Sequence, residues 1–135
     1  MRFSFINIAE LSIKLRCSVQ VTGKLGFTDT TASALRLNRP DVYVMFAQDT
    51  DDNNQLYMVF ISEYKDGAFD IKKSGNYYYL PTGALFESLG YNYKKKNYIF
   101  DLVRMTNLDT MAHGEVYKMC LRIKDRKGGN KEVEI

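Results

Sequence analysis

Two stretches of the chain, 52 positions apart, follow one plan. Residues 19–37 read VQVTGKLGFTDTTASALRL and residues 71–89 read IKKSGNYYYLPTGALFESL. Aligned, Gly23 meets Gly75, Thr30 meets Thr82, Ala32 meets Ala84 and Leu37 meets Leu89. Val19 with Ile71, Thr22 with Ser74 and Phe27 with Tyr79 are milder matches. Four identities in nineteen are few, but the order of local signals around them repeats as well. At 135 residues, the chain suits one compact domain or two very small fused units.

The local signals are mostly those of strands. Residues 11–22, LSIKLRCSVQVT, alternate apolar and polar without a break, which predicts a half-buried strand. Leu11, Ile13, Leu15, Cys17, Val19 and Val21 would face the core. Gly23 punctuates this run, and KLGF is a short return strand. Thr28-Asp29-Thr30-Thr31 supplies N-cap chemistry for a helix over ASALRL, which Asn38-Arg39-Pro40-Asp41 ends. VYVMFAQ and QLYMVFISEY follow as strands around the polar turn DTDDNN. The second of them is apolar on both faces, as in a strand covered on both sides. GAFDIKKSG, NYYYL, a helix in GALFESLG opened by Leu80-Pro81-Thr82 and capped by Gly90, NYIFDLVRM and EVYKMCLRIK repeat the order. The expected fold is therefore α+β and dominated by β. Residues 11–64 and 67–124 would each be a ββαββ unit, and residues 125–135 a polar C-terminal tail. The competing reading is two unrelated hairpin–helix segments in an ordinary α+β domain.

Each unit resembles the AbrB-type swapped-hairpin domain. The second copy carries the resemblance best, with Ser74-Gly75 at the turn, Leu80-Pro81 before the helix and Leu89-Gly90 after it. The first keeps Thr22-Gly23 and Leu37 but has Thr28-Asp29 where Leu-Pro would stand. The resemblance implies a pseudo-twofold, barrel-like domain formed within one chain. A lone unit of about 50 residues has a thin core and open strand edges. It also implies a non-catalytic DNA-binding protein, in the manner of a transcriptional regulator, with phosphates contacted through a basic hairpin surface. By position, the contacts would be Lys14, Arg16 and Lys24 in the first unit and Lys72, Lys73 and Asn76 in the second. These turns carry lysine, serine and threonine rather than the arginine forks that favour base-specific readout.

Composition narrows the field further. The net charge is +3, but residues 94–131 hold ten Lys/Arg against four Asp/Glu, an asymmetry that permits an anionic partner. No apolar run approaches the roughly 18 residues of a membrane helix. A charge soon interrupts the apolar start MRFSFINIAELSIKLRC and no cleavage site follows, so no secretory signal is expected. Cys17 and Cys120 form no CxxC pair, which fits a reducing cytoplasm, and with the one histidine, His113, they make no zinc pattern. DTDDNN lacks the glycine and glutamate of an EF-hand loop. Nucleophile, metalloprotease and phosphate-loop motifs are absent, so neither catalysis, a cofactor nor a small-molecule substrate is expected.

Two constellations have more than one reading. In the final strand, Lys118, Arg122 and Lys124 share a face with Cys120, and Tyr117, Met119, Leu121 and Ile123 share the other. That is a basic stripe, or simply the wet face of an edge strand. Tyr77-Tyr78-Tyr79, near Lys94-Lys95-Lys96, suits base stacking in a single-stranded nucleic-acid binder. The plainer expectation is that Tyr77 and Tyr79 fill the core while Tyr78 packs under a loop. A protein-interaction or assembly module, using sheet edges and aromatic patches to hold a partner or a second copy, is the alternative to nucleic-acid binding.

Overall fold

The alternation near the start of the chain holds where it can be followed. Cys17 and Val19 are buried, while Arg16, Ser18 and Gln20 point away from the core. A computed structural model describes residues 14–105 and 114–126, so Leu11, Ile13, His113 and the tail beyond Arg126 lie outside the described residues. Val21 departs from the expectation: it is exposed, because the strand stops at Val19 and the chain turns over Gln20–Lys24.

Among the described residues, nine strands and two short helices follow in order. They are β1 (Arg16–Val19), β2 (Leu25–Phe27), α1 (Asp29–Ala34), β3 (Tyr43–Asp49), β4 (Gln55–Ile61), β5 (Phe69–Asp70), β6 (Lys72–Ser74), β7 (Tyr77–Leu80), α2 (Gly83–Ser88), β8 (Lys96–Met105) and β9 (Glu115–Asp125). The strands form one antiparallel sheet in the order β5-β3-β4-β9-β8-β1-β2-β7-β6. Its two terminal strands, β5 and β6, are separated only by Ile71. One extended segment thus pairs with β3 through β5 and with β7 through β6, and the sheet closes nearly into a barrel. Closure covers the edges that open sheets must otherwise protect.

Each helix buries one side against the interior, through Thr31 and Ala32 in α1 and Phe86 in α2. Both have six residues, with a threonine N-cap (Thr28, Thr82), a leucine C-cap (Leu35, Leu89) and a next residue with positive φ (Arg36 at 53°, Gly90 at 82°). The helices are thus in register as Thr28–Thr82 and Leu35–Leu89, not as the sequence alignment had them. Pro81 stands before the N-cap rather than inside the first turn. Thr28 caps its helix through a bond from the Thr31 amide, whereas the Thr82 hydroxyl donates to the Gly23 carbonyl, at 3.0 Å.

Phe86 of α2 is fully buried against Phe46, Tyr91 and Phe100, with ring centroids at 6.3, 5.1 and 6.1 Å. Leu25, Leu80, Met58 and Met119 complete the inner layer. A second, smaller cluster of Val59, Ile61 and Val116 lies on the outer side of the sheet, which is why β4 is apolar on both faces. In β9 the predicted alternation holds, but Tyr117 and Met119 are buried while Leu121 and Ile123 are exposed at the far end of the strand. Cys17 faces the core from β1 and Cys120 the outside of β9 two strands away, so both are free. Burial pushes the Cys17 thiol well above its ordinary range, with Asp101 adding to it.

Arg126 ties off one end of the barrel. Its side chain donates to the carbonyls of Tyr93 (2.7 Å) and Val19 (2.8 Å), and its amide donates to Lys95 (3.1 Å). Hydrogen bonds from a charged donor are worth more than those from a neutral one. Arg126→Ala is expected to lower stability by about 2 kcal/mol in chemical denaturation, and Arg126→Lys, which cannot span both carbonyls, by more than half of that.

Candidate nucleic-acid interface

β7 ends in Leu80, which is fully buried. Strand geometry then sends Tyr78 inward and Tyr77 and Tyr79 outward. Tyr78 packs against the core cluster, and the Tyr77 and Tyr79 rings stack on the outer surface with centroids 5.9 Å apart and planes 20° apart. The expectation that Tyr77 and Tyr79 fill the core is thus corrected, because the buried leucine sets the parity of the strand.

Tyr79 lies between two neighbours, Gly26 on β2 and Lys72 on β6. Gly26 has no side chain, and the Tyr77 hydroxyl occupies the space a Cβ there would need. That hydroxyl is buried and has no hydrogen-bond partner among the described residues. Burial, then the neighbouring Tyr79, pushes its pKa above the ordinary tyrosine value. Lys24 reaches over the Tyr79 ring, its Nζ 4.6 Å from the centroid. Lys72 is exposed across the strand from Tyr79 and lies 3.8 Å from Asp70. At such exposure this pair is worth little and leaves the lysine available.

The sequence-nominated residues therefore divide into separate places. Lys24 and Lys72 come together on either side of Tyr79. Lys73 sits over the inward Tyr78 (5.5 Å), and Asn76 joins Tyr78 in a groove against α1 that also holds Asp29. Lys14 is exposed before β1, beside Arg16. Arg16 is engaged: its Nε donates to Asp101 Oδ1 at 3.0 Å. From the other side Arg122 donates through Nη2 to the same oxygen, at 3.4 Å. Its Nε is 3.1 Å from Oδ2 but too poorly aligned for a hydrogen bond, so that contact is ionic. Partial burial pushes the Asp101 carboxyl up, but the Arg16 hydrogen bond and the two positive charges outweigh it and hold it below its usual value.

No protein-family model matches the chain, and no curated protein or solved structure matches it either. The chemistry of the surface is what speaks for its use. Two parallel rings offer π-faces to flat, apolar groups, and two flanking ammonium groups offer charge to anions. Among the described residues no group of three or more His, Cys, Asp or Glu is placed to hold a metal, and DTDDNN forms the β3–β4 hairpin turn, with Asn53 and Asn54 at positive φ. No helix among these residues is long and apolar enough to cross a membrane.

Sequence reasoning nominated Lys24 and Lys72 but missed Gly26, Tyr79 as their shared partner, and Asp101. A glycine inside a strand as short as LGF is a signal of close approach by another group. The pairing of Asp101 with Arg16 and Arg122 depends on strand order and leaves no local mark.

Proposed function

We propose that this protein binds nucleic acid without catalysis, through the outer surface of β2, β7 and β6. Lys24 and Lys72 contact phosphates and Tyr77 and Tyr79 stack bases. The observation that carries the reading is the outward tyrosine pair with a lysine on either side. It favours a single strand, whose unpaired bases are free to stack, over a duplex, whose bases are not.

The same reading takes the chain as two ββαββ units, as the AbrB-type resemblance implies. Its support is the pairing scheme. Exchange β1 with the β5–β6 segment, β2 with β7, β3 with β8 and β4 with β9, and every pairing of the sheet maps onto another or onto itself. The matching caps of the two helices add to this. The tyrosine pair belongs to the second unit only: its counterpart, β2, carries Gly26 and Phe27.

The test is fluorescence anisotropy with a single-stranded oligothymidylate and a duplex of equal length at about 50 mM salt. Wild type is expected to bind the single strand more tightly, with affinity falling as salt rises. Lys24→Glu with Lys72→Glu is expected to weaken binding roughly sixtyfold, as two lost phosphate contacts would at this salt. Equal affinity for the two probes would return the reading to duplex binding by charge alone. No binding to either would overturn it, and a salt-independent oligomer in light scattering would then favour the assembly alternative.

A further inference from the structure

The Arg16–Asp101–Arg122 cluster is unusual for this surface. It lies on the outer side of β1, β8 and β9, next to the tyrosine–lysine surface across β2. The three side chains are all 38–40% exposed. Among the described residues, the outer positions around them on β1, the turn after it and β9 are Ser18, Gln20, Lys118, Cys120 and Lys124, with no second carboxylate. One carboxylate thus holds two guanidinium groups side by side. Among the described residues it engages only Nε of Arg16 and Nε and Nη2 of Arg122, and the remaining donors are left over.

Two guanidinium groups gathered around one oxyanion are also the arrangement that holds a phosphate, which presents more acceptor oxygens than a carboxylate. Taken singly, each of the two ion pairs is worth little to the fold at this exposure. We propose that Arg16 and Arg122 form a second phosphate site on the same binding surface, and that Asp101 is a built-in competitor which keeps it closed until a strand displaces it. The proposal rests on the nucleic-acid reading above. It gives that surface a direction: a strand stacked on Tyr77 and Tyr79 continues past Ser18 and Gln20 toward the arginines. It also gives Asp101 a role as an affinity limiter. With Asp101 present the cluster carries one net positive charge; without it, two.

The experiment measures binding of oligothymidylate by wild type, Asp101→Asn and Asp101→Ser across a salt series. Each Asp101 variant is expected to bind about fivefold more tightly than wild type at 0.1 M salt. The slope of log affinity against log salt should steepen by about 0.7, the value for one further phosphate contact on a single strand. Adding Arg122→Gln to Asp101→Asn should cancel the gain. Thermal melts identify a variant that has not folded, and the two Asp101 replacements guard against that. Wild-type binding with no change in either variant overturns the clasp and leaves the tyrosine–lysine reading standing. A gain that survives Arg122→Gln also overturns the clasp. No binding by wild type or by any variant overturns both.

Discussion

Phe86→Ala is expected to lower stability by about 4 kcal/mol, the largest effect of any single substitution considered for this chain. Phe86 is fully buried, and its ring meets Phe46 from the first half of the chain and Tyr91 and Phe100 from the second. Truncation removes the transfer energy of the ring and leaves a cavity among Phe46, Tyr91 and Phe100 that the close-packed core fills only in part. Phe86→Leu keeps most of the volume and should cost less than half as much. Urea denaturation would read this as a fall in midpoint with the slope unchanged. A cost for Phe86→Ala below about 1 kcal/mol would mean that Phe86 does not anchor α2 to the core.

Gly23→Ala comes next, at about 3 kcal/mol. Gly23 has φ at +88°, a conformation that costs an L-residue about 1–2 kcal/mol. A Cβ there would also come within 2.7 Å of the Gly83 backbone and 3.0 Å of the Tyr93 ring. The first of these neighbours is main chain and cannot rotate away. The same turn accepts the Thr82 hydroxyl on the Gly23 carbonyl at 3.0 Å, so a displaced Gly23 also leaves that buried hydroxyl only its longer, 3.3 Å contact with the Leu80 carbonyl. The expected fall in Tm is about 10 °C. Gly83→Ala is the control from the other side of the contact. Its Cβ would meet only the Thr22 carbonyl at an ordinary 3.6 Å, so it should be neutral or gain about 0.5 kcal/mol from helix propensity. Equal losses for the two variants would show that the close approach of the two backbones, not the left-handed conformation of Gly23, governs the site.

Both substitutions probe the same feature, the lock between the first hairpin turn and the second helix. It bears on the proposed nucleic-acid surface because β2 and β7 are neighbours at that lock, and it is their pairing that lays Tyr77 across Gly26 and brings Lys24 over Tyr79. A variant that loosens the turn should therefore lose oligonucleotide affinity along with stability. The Lys24 and Lys72 reversals, being exposed, should lose affinity alone.

The existence and order of the elements were legible in the amino acids. Period-two alternation marked β1 and β9, glycines marked the hairpin turns, and threonines marked the helix starts, because each of these signals acts over a few neighbouring residues. The two-sided apolar character of β4 likewise announced cover on both faces. The parity of the three tyrosines is also set locally, by the buried Leu80 that ends their strand.

Contacts between distant residues were not legible. That Cys17 and Cys120 lie on opposite faces of the sheet, that Asp101 sits between two arginines, and that Gly26 makes room for Tyr77 all depend on which strand lies beside which. A strand's own alternation says which residues share a face, but not what that face meets. What it meets is decided by the order and register of the strands in the sheet, whose two ends β5 and β6 join through Ile71.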